Sequence, residues 1–205
     1  NVLGVKMVLI DGRVVEIGGR HLDSGGYDLL GVITGSEGLL GVITEVCVRI
    51  LPKPPTARAL LIGFPSSAAA GDCVSAIIAA GIIPGGMEMM DRPAIRACED
   101  FVHAGYPLDV EALLIVELDG PEVEVDFLVA RAEALARSAG AVSVRVSEGE
   151  EQRLLFWSGR KAAFGAVGRI SPDYFCMDGT IPRHKLPEVL GRVAELSRDY
   201  GLAVA

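Results

Sequence analysis

Arg49-Ile-Leu-Pro-Lys-Pro-Pro55 leads through Thr56-Ala-Arg into Ala59-Leu-Leu-Ile-Gly-Phe64. Three prolines fall among the four residues 52–55. Each fixes φ and removes an N–H donor, so neither a strand nor a helix can continue through them. The segment reads as a rigid, extended connector. A domain boundary is placed on it, with one unit at 1–56 and a second at 57–205.

Downstream, the apolar run from Ala59 to Phe64 is the first of several strands that alternate with helices. A helix is expected from Ser66 or Ser67 to Ile78, with Gly81 as its stop. Further strands are expected at Gly86–Met90, Leu113–Leu118, Val142–Val146 and Tyr174–Ile181. Helices are expected at Pro93–Val102, from Pro121 to Ser138, from Gly149 to about Gly165, and at Leu186–Tyr200. Several connections are short or lack a helix. The expected fold class is therefore α+β, with a ferredoxin-like antiparallel sheet carrying helices on one face.

Upstream, Val2–Ile10 and Arg13–Ile17 read as strands joined by a two-residue hairpin at Asp11-Gly12. Gly18-Gly19 and Gly25-Gly26 punctuate a loop, and Tyr27–Ile33 shows helical spacing. A β-branched strand is expected from Val42 to Leu51. The chain opens at Asn1 inside an apolar run and ends at Leu202-Ala-Val-Ala205, expected to begin another strand. It reads as a piece of something longer.

Half of the residues are hydrophobic and 22% are charged, a balance that supports a packed core. The net charge of -8 gives no electrostatic reason to bind nucleic acid or an anionic membrane. The longest apolar stretch, Ala76–Pro84, falls far short of the roughly 20 residues that span a bilayer, so direct membrane insertion is not expected. Cys47, Cys73, Cys98 and Cys176 show neither disulfide-framework nor zinc spacing. They read as reduced thiols, mostly buried, in a cytoplasmic protein, and no metal site is expected.

Two segments carry chemistry. In the first, Gly35, Gly38 and Gly41 precede a strand. Glycines there let the backbone take positive φ and approach a ligand, and successive N–H groups can hold phosphate oxygens. The pattern is neither the dinucleotide fingerprint nor a P-loop. Taken alone, such a loop is more often a turn than a cofactor site. In the second, Arg160 lies in Phe156-Trp-Ser-Gly-Arg-Lys-Ala-Ala-Phe164 on an expected helix. A guanidinium grips a carboxylate with two parallel hydrogen bonds. The bland alternative is a surface arginine, and Lys161 is read as one. Trp157 reads as core packing.

The run from Tyr27 to Glu45, with Gly35-Ser-Glu-Gly-Leu-Leu-Gly-Val-Ile-Thr44 at its centre and a Pro-rich exit at Pro52–Pro55, resembles the FAD-binding domain of vanillyl-alcohol-oxidase-type flavoproteins. Leu39 and Val42 replace the usual Thr and Ile. The resemblance implies FAD as cofactor, with Glu37, Gly38, Leu39, Leu40, Gly41, Val42 and Ile43 as its contacts. It makes residues 1–56 the C-terminal edge of an FAD-binding α+β domain. Residues 57–205 then form most of a substrate (cap) domain.

The helix around Arg160 and the segment Tyr174-Phe-Cys-Met-Asp-Gly-Thr-Ile-Pro182 are similar to the substrate domain of the FAD-linked oxidases. That group includes the glycolate oxidase catalytic subunit and the D-lactate and D-2-hydroxyglutarate dehydrogenases. The resemblance implies that Arg160 binds a substrate carboxylate. Dicarboxylate-specific members carry a Thr one turn after the Arg and a Lys on the following strand. Here those positions are Phe164 and Cys176, which implies a small 2-hydroxy acid with one carboxylate, such as glycolate or D-lactate.

Further expectations follow from the family. Electrons pass to an iron–sulfur subunit or a quinone, a second flavin-domain subunit is usual, and membrane association runs through partners. The catalytic histidine motif is expected beyond residue 205. His103-Ala-Gly is followed by Tyr106-Pro-Leu rather than the acidic turn of that motif, so His103 is not assigned to catalysis. His21 and His184 sit in loops outside any metal spacing. Glu88 and Asp91 can line the cleft, but carboxylates at a strand–helix junction more often cap the helix, and they read first as caps. The opposing reading is a non-catalytic binding or assembly fragment. On either, the 205-residue piece is expected to hold FAD weakly or not at all and to turn over nothing.

Overall fold

The computed structural model describes residues 1–22 and 25–205. The loop expected across Asp23 and Ser24 therefore lies outside the described residues. The chain divides into two compact units, Asn1–Lys53 and Pro54–Ala205.

The first unit holds a three-stranded antiparallel sheet in the order β2-β1-β3, with β1 at Val2–Val8, β2 at Val14–Gly18 and β3 at Val42–Val48. The β1–β2 hairpin is not the expected two-residue turn. The Leu9 amide donates to the Arg13 carbonyl and the Gly12 amide to the Leu9 carbonyl, so the loop is Ile10-Asp11-Gly12. Gly12 takes φ 82°, the left-handed residue that closes three-residue hairpins. The Asp11 carboxylate accepts from the Arg13 amide at 3.1 Å and stabilises the bend. Met7, Val5 and Ile33 form the small core. Ile33 comes from α1, Leu29–Ile33, whose cap Asp28 accepts from the Gly31 amide at 2.9 Å. The third strand ends at Val48, short of the expected Leu51.

The second unit is built on a four-stranded sheet in the order β5-β6-β4-β7, antiparallel at every pairing. Its strands are β4 Thr56–Phe64, β5 Gly86–Asp91, β6 Ala112–Gly120 and β7 Ser143–Val146. With α2 (Ser67–Ala79) after β4 and α4 (Glu122–Ser138) after β6, this is the ferredoxin-like arrangement. An additional helix, α3 (Arg92–Val102), is inserted between β5 and β6. Ser66 caps α2 by accepting from the Ala69 amide at 3.1 Å. Asp91 caps α3 by accepting from Ala94 at 3.0 Å.

Helices cover both faces of this sheet, not one. Leu60, Ile62, Phe64, Leu114, Val116 and Leu118 pack against α2 and α4. Ala59, Leu61, Leu113 and Ile115 point the other way, into a core with Ile95 and Cys98 of α3, Phe156 and Ala166. Side chains alternate across a strand, so burial on both faces gives β4 and β6 apolar runs at Ala59–Phe64 and Ala112–Val116. The alternation that marks a one-sided sheet is lost.

The long helix expected from Gly149 to about Gly165 is two helices. α5 spans Glu150–Lys161 and α6 spans Ala163–Ile170, with Ala162 closing one and opening the other. Two further expectations are corrected. Tyr174–Ile181 is not a strand, and neither is the stretch from Leu202. Pro172 and Pro182 bracket the first segment, Gly179 interrupts it, and no described strand pairs with it. A strand needs a ladder partner more than it needs β-branched residues. α7, Leu186–Tyr200, ends at Gly201 in the left-handed conformation. It packs on α2 where Pro187 lies against Gly71, leaving no room for a Cβ.

Candidate functional site

The Gly-rich turn of the first unit has an unusual backbone. Gly35, Glu37, Gly38 and Gly41 have φ of 84°, 51°, 80° and 153°. Glu37 is a non-glycine held in the left-handed region, a conformation that costs free energy. The Ser36 amide donates to the Ile33 carbonyl and the Leu39 amide to the Ser36 carbonyl. The N–H groups of Glu37, Gly38 and Leu40 make no backbone hydrogen bond among the described residues. A Cβ at Gly35 or Gly38 would meet nothing within 4 Å, so the backbone is open to a ligand there. Beside the turn lies a cavity of about 280 Å³, lined by Ile33, Gly35, Ser36, Glu37, Gly38 and Ile43 among others. Leu39, Leu40, Val42 and Ile43 expose their side chains. A second cavity of about 360 Å³, reached by His21, Leu22 and Asp28, contains none of the expected cofactor contacts.

In the second unit, α5 packs against α3 and β4, and the long side chains of one of its faces reach β5 and β6. Arg153, Trp157 and Arg160 are spaced so that they share one helix face. The Trp157 indole N–H and Arg153 both donate to Glu117 Oε2 at 2.6 Å, and Arg153 also pairs with Glu150 at 2.8 Å. Trp157 sits over Gly86, where an added Cβ would lie 3.1 Å from the ring. Arg160 donates from Nε to Glu88 Oε2 at 3.1 Å. Its side chain is 37% exposed, and its terminal nitrogens make no other hydrogen bond among the described residues. Glu88 is thus an ion-pair partner and not the helix cap, a role that falls to Asp91 alone. Trp157 is only half core, because its N–H is tied to a carboxylate.

The other two residues tied to the substrate are placed differently from expectation. Phe164 does not follow Arg160 along one helix, because the break at Ala162 puts it on α6, where it is 59% exposed. Cys176 lies in the irregular segment rather than on a strand, and is exposed. Tyr174 ties that segment to α6, its hydroxyl donating to the Phe164 carbonyl at 3.3 Å.

Tyr106 is the residue that sequence reasoning missed. It is buried, and its hydroxyl donates to the Phe156 carbonyl at 2.5 Å. Its ring packs against Gly159, leaving no room for a Cβ. The loop that carries it is clamped. Glu99 accepts from the amides of Gly105 and Tyr106 at 3.1 and 2.9 Å, and Arg145 donates to the Gly105 carbonyl at 2.7 Å. Tyr106 therefore fixes the turn of α5 from which Arg160 projects. His103 only closes α3, with φ 53°.

Burial raises the Tyr106 phenol from its ordinary 10.0 to about 12. It likewise raises the Cys73 thiol from 9.0 to about 11. Both native values lie above the unfolded ones. The stability tied to each neutral form is thus complete below the unfolded value and disappears as pH rises through the native one. Urea unfolding of the full-length protein should show stability declining from about pH 9 to about pH 12. In Tyr106→Phe the decline should become shallower above about pH 10 and cease near pH 11, where the Cys73 contribution ends; an unchanged slope between about pH 11 and 12 would count against this assignment.

A family model described as FAD linked oxidases, C-terminal domain, matches residues 53–205. The chain belongs to that family. This FAD-linked oxidase segment is 56% identical to the glycolate oxidase subunit GlcD of Escherichia coli K12, over all of the chain and 41% of that protein. It is 34% identical to the Bacillus subtilis GlcD and 30% identical to a D-lactate dehydrogenase of Archaeoglobus fulgidus. Those matches cover 99% and 98% of the chain, and 43% and 44% of the relatives. The chain thus spans about two fifths of the curated relatives it matches. An alkyldihydroxyacetonephosphate synthase structure matches with a TM-score of 0.66 at 18% identity, over 96% of the chain and 40% of that structure. The 4-ethylphenol oxidase of Gulosibacter chungangensis matches at 0.66 and 14%, over 98% and 47%. These two agree in fold. No described helix is long and apolar enough to cross a membrane.

Proposed function

We propose that the enzyme carrying this chain oxidises a small 2-hydroxy acid, glycolate or D-lactate, to the 2-oxo acid. The observation that carries the reading is Arg160: a guanidinium fixed at Nε by Glu88, with its terminal nitrogens turned to no other group among the described residues. Such a fork suits one planar carboxylate and would hold the α-carbon in a single orientation. Phe164 and Cys176 carry no charge and offer nothing to neutralise a second carboxylate. When bound, FAD supplies the hydride acceptor.

The turn from Glu37 through Gly38, Leu39, Leu40, Gly41, Val42 and Ile43 fits the oxygen-rich part of that cofactor. Its open N–H groups and unobstructed Gly38 favour close approach of an anionic oxygen. The base that takes the hydroxyl proton is assigned to no residue of this chain. Electrons leave to an iron–sulfur subunit or a quinone, in an assembly with a second flavin-domain subunit. The enzyme is placed in the cytoplasm, and its partners bring it to the membrane.

The test is anaerobic mixing of the full-length, FAD-loaded enzyme with glycolate, D-lactate and D-2-hydroxyglutarate, following loss of flavin absorbance. The first two should reduce the flavin quickly and the third slowly. Faster reduction by the dicarboxylate would overturn the substrate assignment.

A further inference from the structure

The face of α5 that points to the β5–β6 edge carries two guanidinium groups, Arg153 and Arg160. Three carboxylates meet them, those of Glu88, Glu117 and Glu150. Arg153 is held between Glu117 at 2.6 Å and Glu150 at 2.8 Å, and the Trp157 N–H adds to the same Glu117 oxygen. Arg153 is therefore engaged as a counter-charge. Lys161 projects about 100° further round the helix from Arg160. Arg160 is the one cation of this face whose terminal nitrogens remain open among the described residues.

Glu88 decides how they are offered. It comes from β5, at the edge of the sheet, and takes the Nε–H of Arg160. A carboxylate can grip a guanidinium either along the side made by Nε and one terminal nitrogen or end-on across the two terminal nitrogens. With Nε held by Glu88, the end-on fork is the edge presented to an incoming anion. Glu88 also places a negative charge directly behind that fork. The first carboxylate of a ligand meets the guanidinium; a second, further out along the ligand, finds that cation already paired and lies in the net negative field left by Glu88, Glu117 and Glu150 over the two arginines.

We propose that Glu88 is the specificity-determining and positioning residue of the substrate site. It fixes the end-on edge of Arg160 for one carboxylate and repels a second. The proposal rests on the reading that Arg160 takes the substrate carboxylate. It differs from the neutrality of Phe164 and Cys176, which withhold stabilisation of a second charge, whereas Glu88 opposes that charge.

The experiment compares lactate and malate of the same configuration, which differ by one carboxylate, on the full-length, FAD-loaded enzyme. kcat/KM is measured for wild type, E88Q, E88D and R160M. E88Q keeps the shape and the acceptor oxygen but removes the charge, so the lactate-over-malate preference should fall about tenfold, chiefly through a lower KM for malate. E88D keeps the charge and should retain most of the preference. Should E88Q fail to fold, E88A is read in the same way. An E88Q preference equal to that of wild type, alongside an R160M variant that has lost lactate oxidation, overturns the role of Glu88 and leaves Arg160 standing. An R160M variant with unchanged lactate KM overturns the reading beneath it, and the proposal with it.

Discussion

Replacing Arg160 with methionine should lower kcat/KM for the 2-hydroxy acid by about a thousandfold in the full-length enzyme. Two charge-assisted hydrogen bonds to one carboxylate contribute roughly 4 kcal/mol between them, and each 1.36 kcal/mol is about tenfold in rate. Methionine keeps much of the length and apolar stem while removing the charge and every donor. It also leaves Glu88 without its cation, but Glu88 is half-exposed and water can take the place of Arg160 there. The fold should therefore survive, with a melting temperature near that of wild type. Arg160→Lys restores the charge without the planar fork and should recover only part of the loss. Steady-state kinetics with glycolate and D-lactate, paired with thermal melts, decide the matter. A methionine variant within twofold of wild type would remove Arg160 from the substrate site.

The second large effect concerns the body of the helix. Phe156→Ala should destabilise the fold by about 3–5 kcal/mol. Phe156 is fully buried in the core between α3, α5 and the sheet. The Arg145 guanidinium lies 5.3 Å from its ring centroid, and its carbonyl accepts the Tyr106 hydroxyl. Truncation removes the ring, opens a cavity and withdraws the surface against which α5 is seated. A domain of this size loses about 2–4 °C of melting temperature per kcal/mol, so a drop of roughly 10 °C is expected. The KM for substrate should rise at temperatures below the melt, because α5 also carries Arg160. A melting temperature within about 2 °C of wild type would mean that the core collapses around the gap.

Much of the fold can be read from local signals, and the exceptions have physical causes. Ser66, Asp91 and Gly201 mark helix ends through chemistry that is complete within four residues. The runs Ala59–Phe64 and Leu113–Leu118 announce strands, and the unbroken apolarity of Ala59–Ile62 and Leu113–Val116 is the local sign of two covered faces rather than one. The break at Ala162 has no local marker, since Ala is the best helix former. It comes from the way α5 and α6 pack separately on the core through Phe156 and Ala166. Tyr174–Ile181 has strand composition without a partner to pair with.

The candidate site divides in the same way. Arg160 and the turn around Gly38 stand out because a motif surrounds each. Glu88 pairs across 72 residues and Tyr106 across 50. Nothing in the sequence near either announces its partner, so only the folded chain brings those pairs together.

The order of strands in the second unit bears on how the chain is made. β4 is the first strand of that unit to leave the ribosome, and it is central in the finished sheet. Both of its neighbours, β6 and β7, are synthesised after it. Until residue 146 has emerged, Leu60, Leu61 and Ile62 have no complete pair of strands to bury them. Long-range pairing of this kind folds slowly and leaves apolar surface exposed. During translation this run is exposed apolar surface of the kind that chaperones cover, although in the native protein it is among the most deeply buried.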